Sequence, residues 1–214
     1  MLLWAYRDKV AIQNCSRYKP KIPITSHRKA MKPLTPAARK KNETISYTCG
    51  TSTLGVLLMA QSQQGICAIL LGDHEDDLVK ELMGRFPGAN VQPSESAVSE
   101  LMQQLVKLIE QPTQLLPLPL DIRGTLFQQR VWALLQQIPV GETRSYTQIA
   151  QALGAPKAIR AVAGACAANA LALVIPCHRV VRSDGQLAGY RWGLERKKTL
   201  LQRERDAGGR NKNP

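Results

Sequence analysis

Residues Lys157–Ala168 of this chain are mostly Ala, Gly and Val, with Lys157 and Arg160 as the only charges. A helix of such small side chains has little bulk, so its backbone lies close to whatever covers it. Just upstream, Ser145-Tyr-Thr-Gln148 is a capping-box pattern that opens a short helix through Ile149, Ala150 and Leu153. Gly154 is a natural helix stop, and Pro156 fits the first position of a new helix. Ser145–Asn169 therefore reads as helix, tight turn, helix. On the second helix Arg160 shares a face with Ala163, Gly164 and Ala167. Two readings stay open for that face: tight packing inside the protein, or a helix pressed into a narrow groove with one cation reaching in. A helix that reads bases in the major groove carries several Asn, Gln or Arg side chains, and this one does not.

The rest of the chain divides at its prolines. Ile45–Cys49, Leu54–Ala60 and Ile66–Leu71 read as strands, with a turn at Gln61–Gly65. Asp73–Phe86 reads as a helix with acids in its first turn, stopped by Pro87–Gly88. Ser94–Glu110 is a second helix, with Val98, Leu101, Leu105 and Leu108 on one face. Pro112, Pro117 and Pro119 make Gln111–Asp121 an extended connector. Beyond it, Thr125–Ile138 is helical, with Leu126, Val131, Leu134, Leu135 and Ile138 near one side. The expected fold class is a small α/β N-terminal module over 44–117 followed by a mostly α domain over 118–206. A basic tail (1–43) and a disordered C-terminus (207–214) flank them.

With 214 residues, 44% of them hydrophobic, the chain is long enough for a stable core. Its net charge of +13 is unevenly placed. Residues 1–42 hold eleven bases against one acid, residues 43–120 three against nine, and residues 121–214 fifteen against six. That balance favours a polyanionic partner. No segment reads as a membrane span, and the apolar start Met1–Tyr6 is too short for a signal peptide, so a cytosolic setting is expected. The five cysteines (15, 49, 67, 166 and 177) are odd in number and never closer than eleven residues. That argues against a disulfide scaffold and against a zinc site of the CxxC type, and no cofactor is expected.

One cysteine stands apart. Cys177 follows Pro176 and precedes His178 and Arg179 in Leu173-Val-Ile-Pro-Cys-His-Arg-Val-Val181. His178 can act as a base, and nearby positive charge favours the thiolate. Ile175–Val181 resembles the active-site signature of the O6-alkylguanine-DNA alkyltransferases. The similarity spans residues 44–206 and is strongest over Phe127–Trp132, Gly141–Gln148, Lys157–Asn169 and Ile175–Gly193. Matches at Gly65–Asp73, Leu118–Thr125 and Gly189–Gly193 bring the chain nearest to the methyltransferase half of the Ada-type regulators.

The resemblance implies a ribonuclease-H-like first module and a winged helix-turn-helix second domain. It also implies DNA repair by irreversible, single-turnover transfer of a methyl group from O6-methylguanine, and O4-methylthymine, to Cys177. The implied partner is duplex DNA holding the lesion, met by a monomer. By position, Cys177 matches the nucleophile, His178 the residue that deprotonates it through a water, and Glu204 the carboxylate that orients the histidine. Asn169 matches a hinge residue before the active site. Tyr146 matches the tyrosine that rotates the nucleotide and protonates the departing guanine. Arg160 matches the arginine that fills the emptied stack. Gln128, Thr147, Ala155 and Ser183 join Tyr146 and Arg160 as implied DNA contacts, while Tyr190, Val180 and Arg191 line the implied substrate pocket. Arg191 stands where some relatives have a small residue, which is expected to narrow that pocket. Ala155 stands where relatives often carry a polar phosphate contact.

Gly193–Arg205 reads as a helix with Leu194, Leu200 and Leu201 on its apolar side, interrupted by Lys197. Glu204 projects to that side; the alternative is a solvated edge beside Arg203 and Arg205. The zinc domain of Ada-type proteins has no counterpart here, and Met31–Lys41 resembles only the last helix of their activator domain. Phosphotriester repair is therefore not expected. Competing readings are a non-enzymatic binder of alkylated DNA, whose known kind lacks the cysteine, and a transcriptional regulator. A Cys-His hydrolase is disfavoured because adjacent residues cannot face each other as a bonded pair.

Overall fold

The computed structural model of the protein describes residues 43–94, 99–112 and 118–210. All but one residue of the expected basic tail, the Met31–Lys41 match, Val98 and the centre of the Pro-rich connector lie outside the described residues.

Strands β1 (Thr44–Ser52), β2 (Gly55–Ser62) and β3 (Gly65–Gly72) form an antiparallel meander. A further strand, β4 (Asn90–Pro93), lies parallel to β1 and completes the sheet order β3-β2-β1-β4. It was not expected from the sequence: it is four residues long, mostly exposed and ends in Pro93, so it carries no apolar alternation. Helix α1 (Glu75–Arg85) buries Leu78 and Leu82. Gly72 makes that packing possible, since a Cβ there would sit 2.9 Å from Leu78. Helix α2 (Ser99–Glu110) buries Met102, Leu105 and Ile109 rather than the expected Leu101–Leu105–Leu108 stripe. The rotation follows from Met102, whose side chain occupies the space a Cβ on Gly50 would need.

The outer edge of β3 is covered by the second half of the chain. Ile66 N–H donates to the Pro119 carbonyl at 2.8 Å, and Asp121 N–H returns to Ile66 O at 2.9 Å. Ile69 N–H donates to Ala170 O at 2.7 Å, and Ala172 N–H returns to Ile69 O at 2.9 Å. These bonds pair the strand edge that would otherwise invite another chain. They also explain why β3 is an unbroken apolar run, buried over seven of its eight residues. A charge cluster pins the same seam: Arg123 bonds Glu43 and Asp121, and Ser62 donates to Asp121 at 2.6 Å.

The second half comprises α3 (Leu126–Leu135), β5 (Arg144–Ser145), α4 (Tyr146–Ala152), α5 (Ile159–Ala168), β6 (Val180–Val181) and α6 (Leu194–Arg210). A single 3-10 turn, Cys177–Arg179, precedes β6. Complete capping boxes open α3 (Thr125 with Gln128) and α4 (Ser145 with Gln148). Leu126, expected on the apolar side of α3, is 54% exposed in its first turn, while Val131, Trp132 and Leu135 are buried. Pro156 does not open α5; it lies in a turn, and the helix begins three residues later at Ile159. Helix α6 runs to Arg210, past the end expected at Arg205 and into the C-terminus expected to be disordered, of which residues 211–214 lie outside the described residues. Among the described residues no helix is long and apolar enough to cross a membrane.

Trp132 joins α3 to α5 through its indole N–H, which donates to the Ala165 carbonyl at 2.9 Å inside the core. Replacing it by Phe keeps most of the apolar surface and removes that bond. Trp132→Phe is expected to lower stability by about 1 kcal/mol in urea denaturation.

Candidate active site

Asn169 ends α5 and is fully buried. Its side-chain carbonyl accepts the Leu171 N–H at 2.9 Å. Its amide donates to Ile175 O at 2.9 Å and lies 3.3 Å from Cys177 Sγ. One side chain thus closes the loop from 169 to 177 and touches the sulfur at its end. The loop holds a non-glycine residue in the left-handed region, Leu173 with φ of 68°. That conformation costs about 1–3 kcal/mol and persists because the surrounding bonds hold it. Pro176 then turns the chain into the 3-10 turn, so Cys177, a free thiol, is presented at a break in structure yet only 4% exposed.

Burial dominates the electrostatics of this thiol. It pushes Cys177 up to about 11, although the Asn169 hydrogen bond and the charge of Lys197 both favour the thiolate. The resting group is therefore protonated: burial outweighs the nearby positive charge that was expected to favour the thiolate. The expected positive influence does not come from Arg179 either. Arg179 is buried and faces away to Glu204 and the Ile138 carbonyl.

Glu204 is 3% exposed on α6, so it is no solvated helix edge. His178 Nε2 lies 2.8 Å from one carboxylate oxygen, Arg179 bonds both oxygens at 2.9 to 3.1 Å, and the Gly141 N–H donates at 3.2 Å. Burial pushes this carboxyl up, but the bonds and charges of His178 and Arg179 outweigh it and hold it at about 2. Burial lowers His178 in spite of Glu204, so the imidazole is neutral. An ionised carboxylate only accepts, so His178 Nε2 carries the ring proton and donates it to Glu204. Nδ1 then keeps a lone pair; it is buried and makes no hydrogen bond within the protein.

The aromatic residues gather around the same point. Tyr190 sits edge-on to His178 with ring centres 6.4 Å apart, and edge-on to Trp192 at 5.2 Å. Its hydroxyl is buried without a partner, and burial raises it well above the ordinary tyrosine range. Tyr146, the first residue of α4, is half-buried and raised to about 12 by burial and then by the nearby Cys166 and Cys177. Val180 is fully buried in β6 beside the turn.

The remaining candidates lie on the surface or are engaged elsewhere. Arg160 and Ser183 are exposed, and Thr147 is half-buried in α4. Gln128 accepts the Thr125 N–H within its capping box. Ala155 sits in the turn before α5, its N–H donating to Ala150 O at 3.0 Å. Arg191 does not point at Cys177 through any bond: it reaches Glu81 at 3.0 Å and the Ala167 carbonyl at 3.2 Å, linking α1 to the end of α5. On α5 the Arg160 face is open: Gly164 and Ala167 are exposed, and a Cβ on Gly164 would meet nothing within 4 Å. The face is thus solvent-facing, and the internal-packing reading does not apply to it.

Sequence reasoning passed over three residues. Gly141 adopts φ of 81° and leaves room for the Glu204 backbone, 3.2 Å from where a Cβ would be; its only signal was Pro139-Val-Gly141. Arg179 was read as a partner of the thiol. Lys197 was read as a flaw in the apolar side of α6, yet it is fully buried, whereas Leu194 is 48% exposed. Among the described residues no group of His, Cys, Asp and Glu is placed to hold a metal ion.

Residues 126–206 match the model of the 6-O-methylguanine DNA methyltransferase DNA-binding domain. The chain is 52% identical over 164 residues to the Escherichia coli bifunctional transcriptional activator and DNA repair enzyme Ada, covering 77% of this chain and 46% of that protein. The chain thus spans about half the length of that relative. It is 48% identical over 113 residues to the Mycobacterium leprae methylated-DNA–protein-cysteine methyltransferase, covering 53% of this chain and 68% of that one. The crystal structure of Mycobacterium tuberculosis OGT in complex with DNA superposes with a TM-score of 0.65 at 35% identity, covering 76% of this chain and 94% of that chain. The mixed α/β fold, a small sheet plus helices, is common to both.

The His178–Glu204 pair sets an acid limit. His178 lies below its ordinary 6.5 in the fold, so the unfolded chain binds its proton first as pH falls. Glu204 lies at about 2 against 4.5, so its contribution is present above about 4.5 and is lost on the way to 2. Urea midpoints are expected to start falling near pH 6.5 and to steepen below about 4.5, and His178→Gln is expected to remove the upper limb.

Proposed function

The chain belongs to the 6-O-methylguanine DNA methyltransferase family, and on that premise we propose that it repairs DNA by direct reversal, taking the methyl group of O6-methylguanine, and of O4-methylthymine, onto Cys177. The observation that carries this reading is the continuous bonded set Asn169–Cys177 and His178–Glu204–Arg179, built behind an exposed helix of small residues. In finer detail the reading takes residues 44–117 as a ribonuclease-H-like module and residues 118–206 as a winged helix-turn-helix domain. It has the protein act as a monomer in the cytosol.

The target carbon is inside the duplex, so the nucleotide must leave the stack, at a cost of a few kcal/mol. The open face of α5 lets its backbone approach the groove, and Arg160 fills the space left behind. Phosphate contacts hold the register without reading sequence. Cys177, protonated at rest, then gives its proton through a bridging water to Nδ1 of the neutral His178. The resulting imidazolium is stabilised by Glu204, which stays ionised in the fold.

The sulfur pair forms the S–CH3 bond as the O6–CH3 bond breaks, and the bonding electrons pass to the purine. Tyr146, raised to about 12, keeps its proton until the departing guanine takes it. With burial holding Cys177 at about 11, removal of its proton is a substantial part of the barrier, and alignment of sulfur and carbon contributes beside it. The product is a thioether, a poor leaving group, so each molecule reacts once.

Stoichiometric protein incubated with duplex carrying labelled O6-methylguanine is expected to yield one label per molecule, with a methyl mass gain on the Cys177 peptide. Binding without mass gain overturns the transfer reading in favour of a recruiter. Arg160→Ala is expected to slow duplex repair at least about tenfold more than reaction with the free methylated base. Equal slowing on both substrates removes the stack-filling role.

A further inference from the structure

The buried cationic side chains among the described residues are Arg179 and Lys197. Arg179 is bonded to Glu204. Lys197, on the inner side of α6, makes no ion pair with an acidic residue and is fully buried, an arrangement that is costly for an ammonium unless it serves some group nearby. Its Nζ donates to the Val180 carbonyl at 2.6 Å and to the Ala188 carbonyl at 2.8 Å. Val180 closes the 3-10 turn, its own N–H returning to the Cys177 carbonyl. Ala188 lies two residues before Tyr190. One ammonium therefore ties the turn that presents the sulfur to the loop that carries the aromatic wall.

We propose that Lys197 is a positioning residue for Cys177: by clasping the Val180 and Ala188 carbonyls it fixes the reactive turn against the Tyr190 loop and places an ammonium where it favours the thiolate. The inference rests on the transfer reading above and extends it. The other titratable groups around the sulfur are Cys166 of α5, Tyr146 of α4, Tyr190 and His178. Burial raises Cys166 and Tyr146 to about 12 and Tyr190 well above its ordinary range, and leaves His178 neutral. None of them brings positive charge at rest. The charge of Lys197 draws Cys177 down against the burial that raises it; burial lowers Lys197 itself, and negative charge developing on Cys177 favours the charged lysine. Developing negative charge on sulfur thus meets a cation that need not move, a preorganised form of stabilisation.

The test uses methyl iodide and no DNA, so it stands or falls separately from the DNA reading. Methylation of Cys177 is followed by peptide-resolved mass spectrometry between about pH 7 and 10 in the full chain, in Lys197→Met and in Lys197→Gln. The expected result is a rate profile displaced to higher pH by about one unit, or about tenfold slower at a given pH, in both variants. A purely structural lysine predicts the opposite, since loosening the fold exposes the thiol and moves the profile down towards about 8.5. An unchanged profile overturns the proposal. Should neither variant fold, the unsubstituted protein decides: the Lys197 ammonium resonance in 15N-lysine-labelled protein is expected to be exchange-protected and to shift when Cys177 is methylated, and an unshifted signal overturns the proposal.

Discussion

The site depends on one buried carboxylate. Glu204 accepts from His178, Arg179 and the Gly141 N–H at once, and those donors come from the 3-10 turn and from the segment between α3 and β5. An isolated carboxylate at that depth would be protonated. With four donors it stays ionised, and its charge fixes the histidine tautomer that leaves Nδ1 free to accept. Remove the carboxylate and the buried Arg179 loses its counter-charge, so the reactive turn loses its anchor on α6. Chemistry and folding stability therefore share this interaction.

The buried thiol shows the same economy of placement. A cysteine poised as a free thiolate would meet oxidants and metals indiscriminately. Burial keeps Cys177 protonated, and proton removal waits for a reaction partner to enter. Asn169 holds the shape of the loop that carries the sulfur, including a residue in the left-handed region. The small-residue helix that ends at Asn169 keeps its Arg160 face open, and that helix and the loop that holds Cys177 are one continuous segment.

The sheet of the first half supports this arrangement from behind. The edge of β3 bonds to residues on either side of Leu120 and Leu171, the second of which lies within the loop closed by Asn169. Arg191 and Arg85 extend the same support from α1: Arg191 bonds the Ala167 carbonyl and Arg85 the Asn169 carbonyl, and both also bond Glu81. The end of α5 is thus held between the two halves of the chain.

Local pattern revealed the three long strands, the capping box at Ser145–Gln148 and the paired helices around Gly154, because each is stated by neighbouring residues, whereas the box at Thr125–Gln128 went unread. The motif Pro176-Cys-His-Arg179 singled out Cys177 for the same local reason. The strand β4, the true buried face of α2, the late start of α5 and the exposure of Leu126 and Leu194 were not legible, since each is decided by what packs from elsewhere, as Met102 against Gly50 illustrates. The charged residues divide the same way. By itself the sequence determined which residues stand next to one another, Pro176, Cys177, His178 and Arg179 among them. Only the tertiary structure decided that Arg179 serves Glu204 rather than the sulfur and that Lys197 lies inside, because the partner of a buried charge comes from distant chain and desolvation is set by the whole fold.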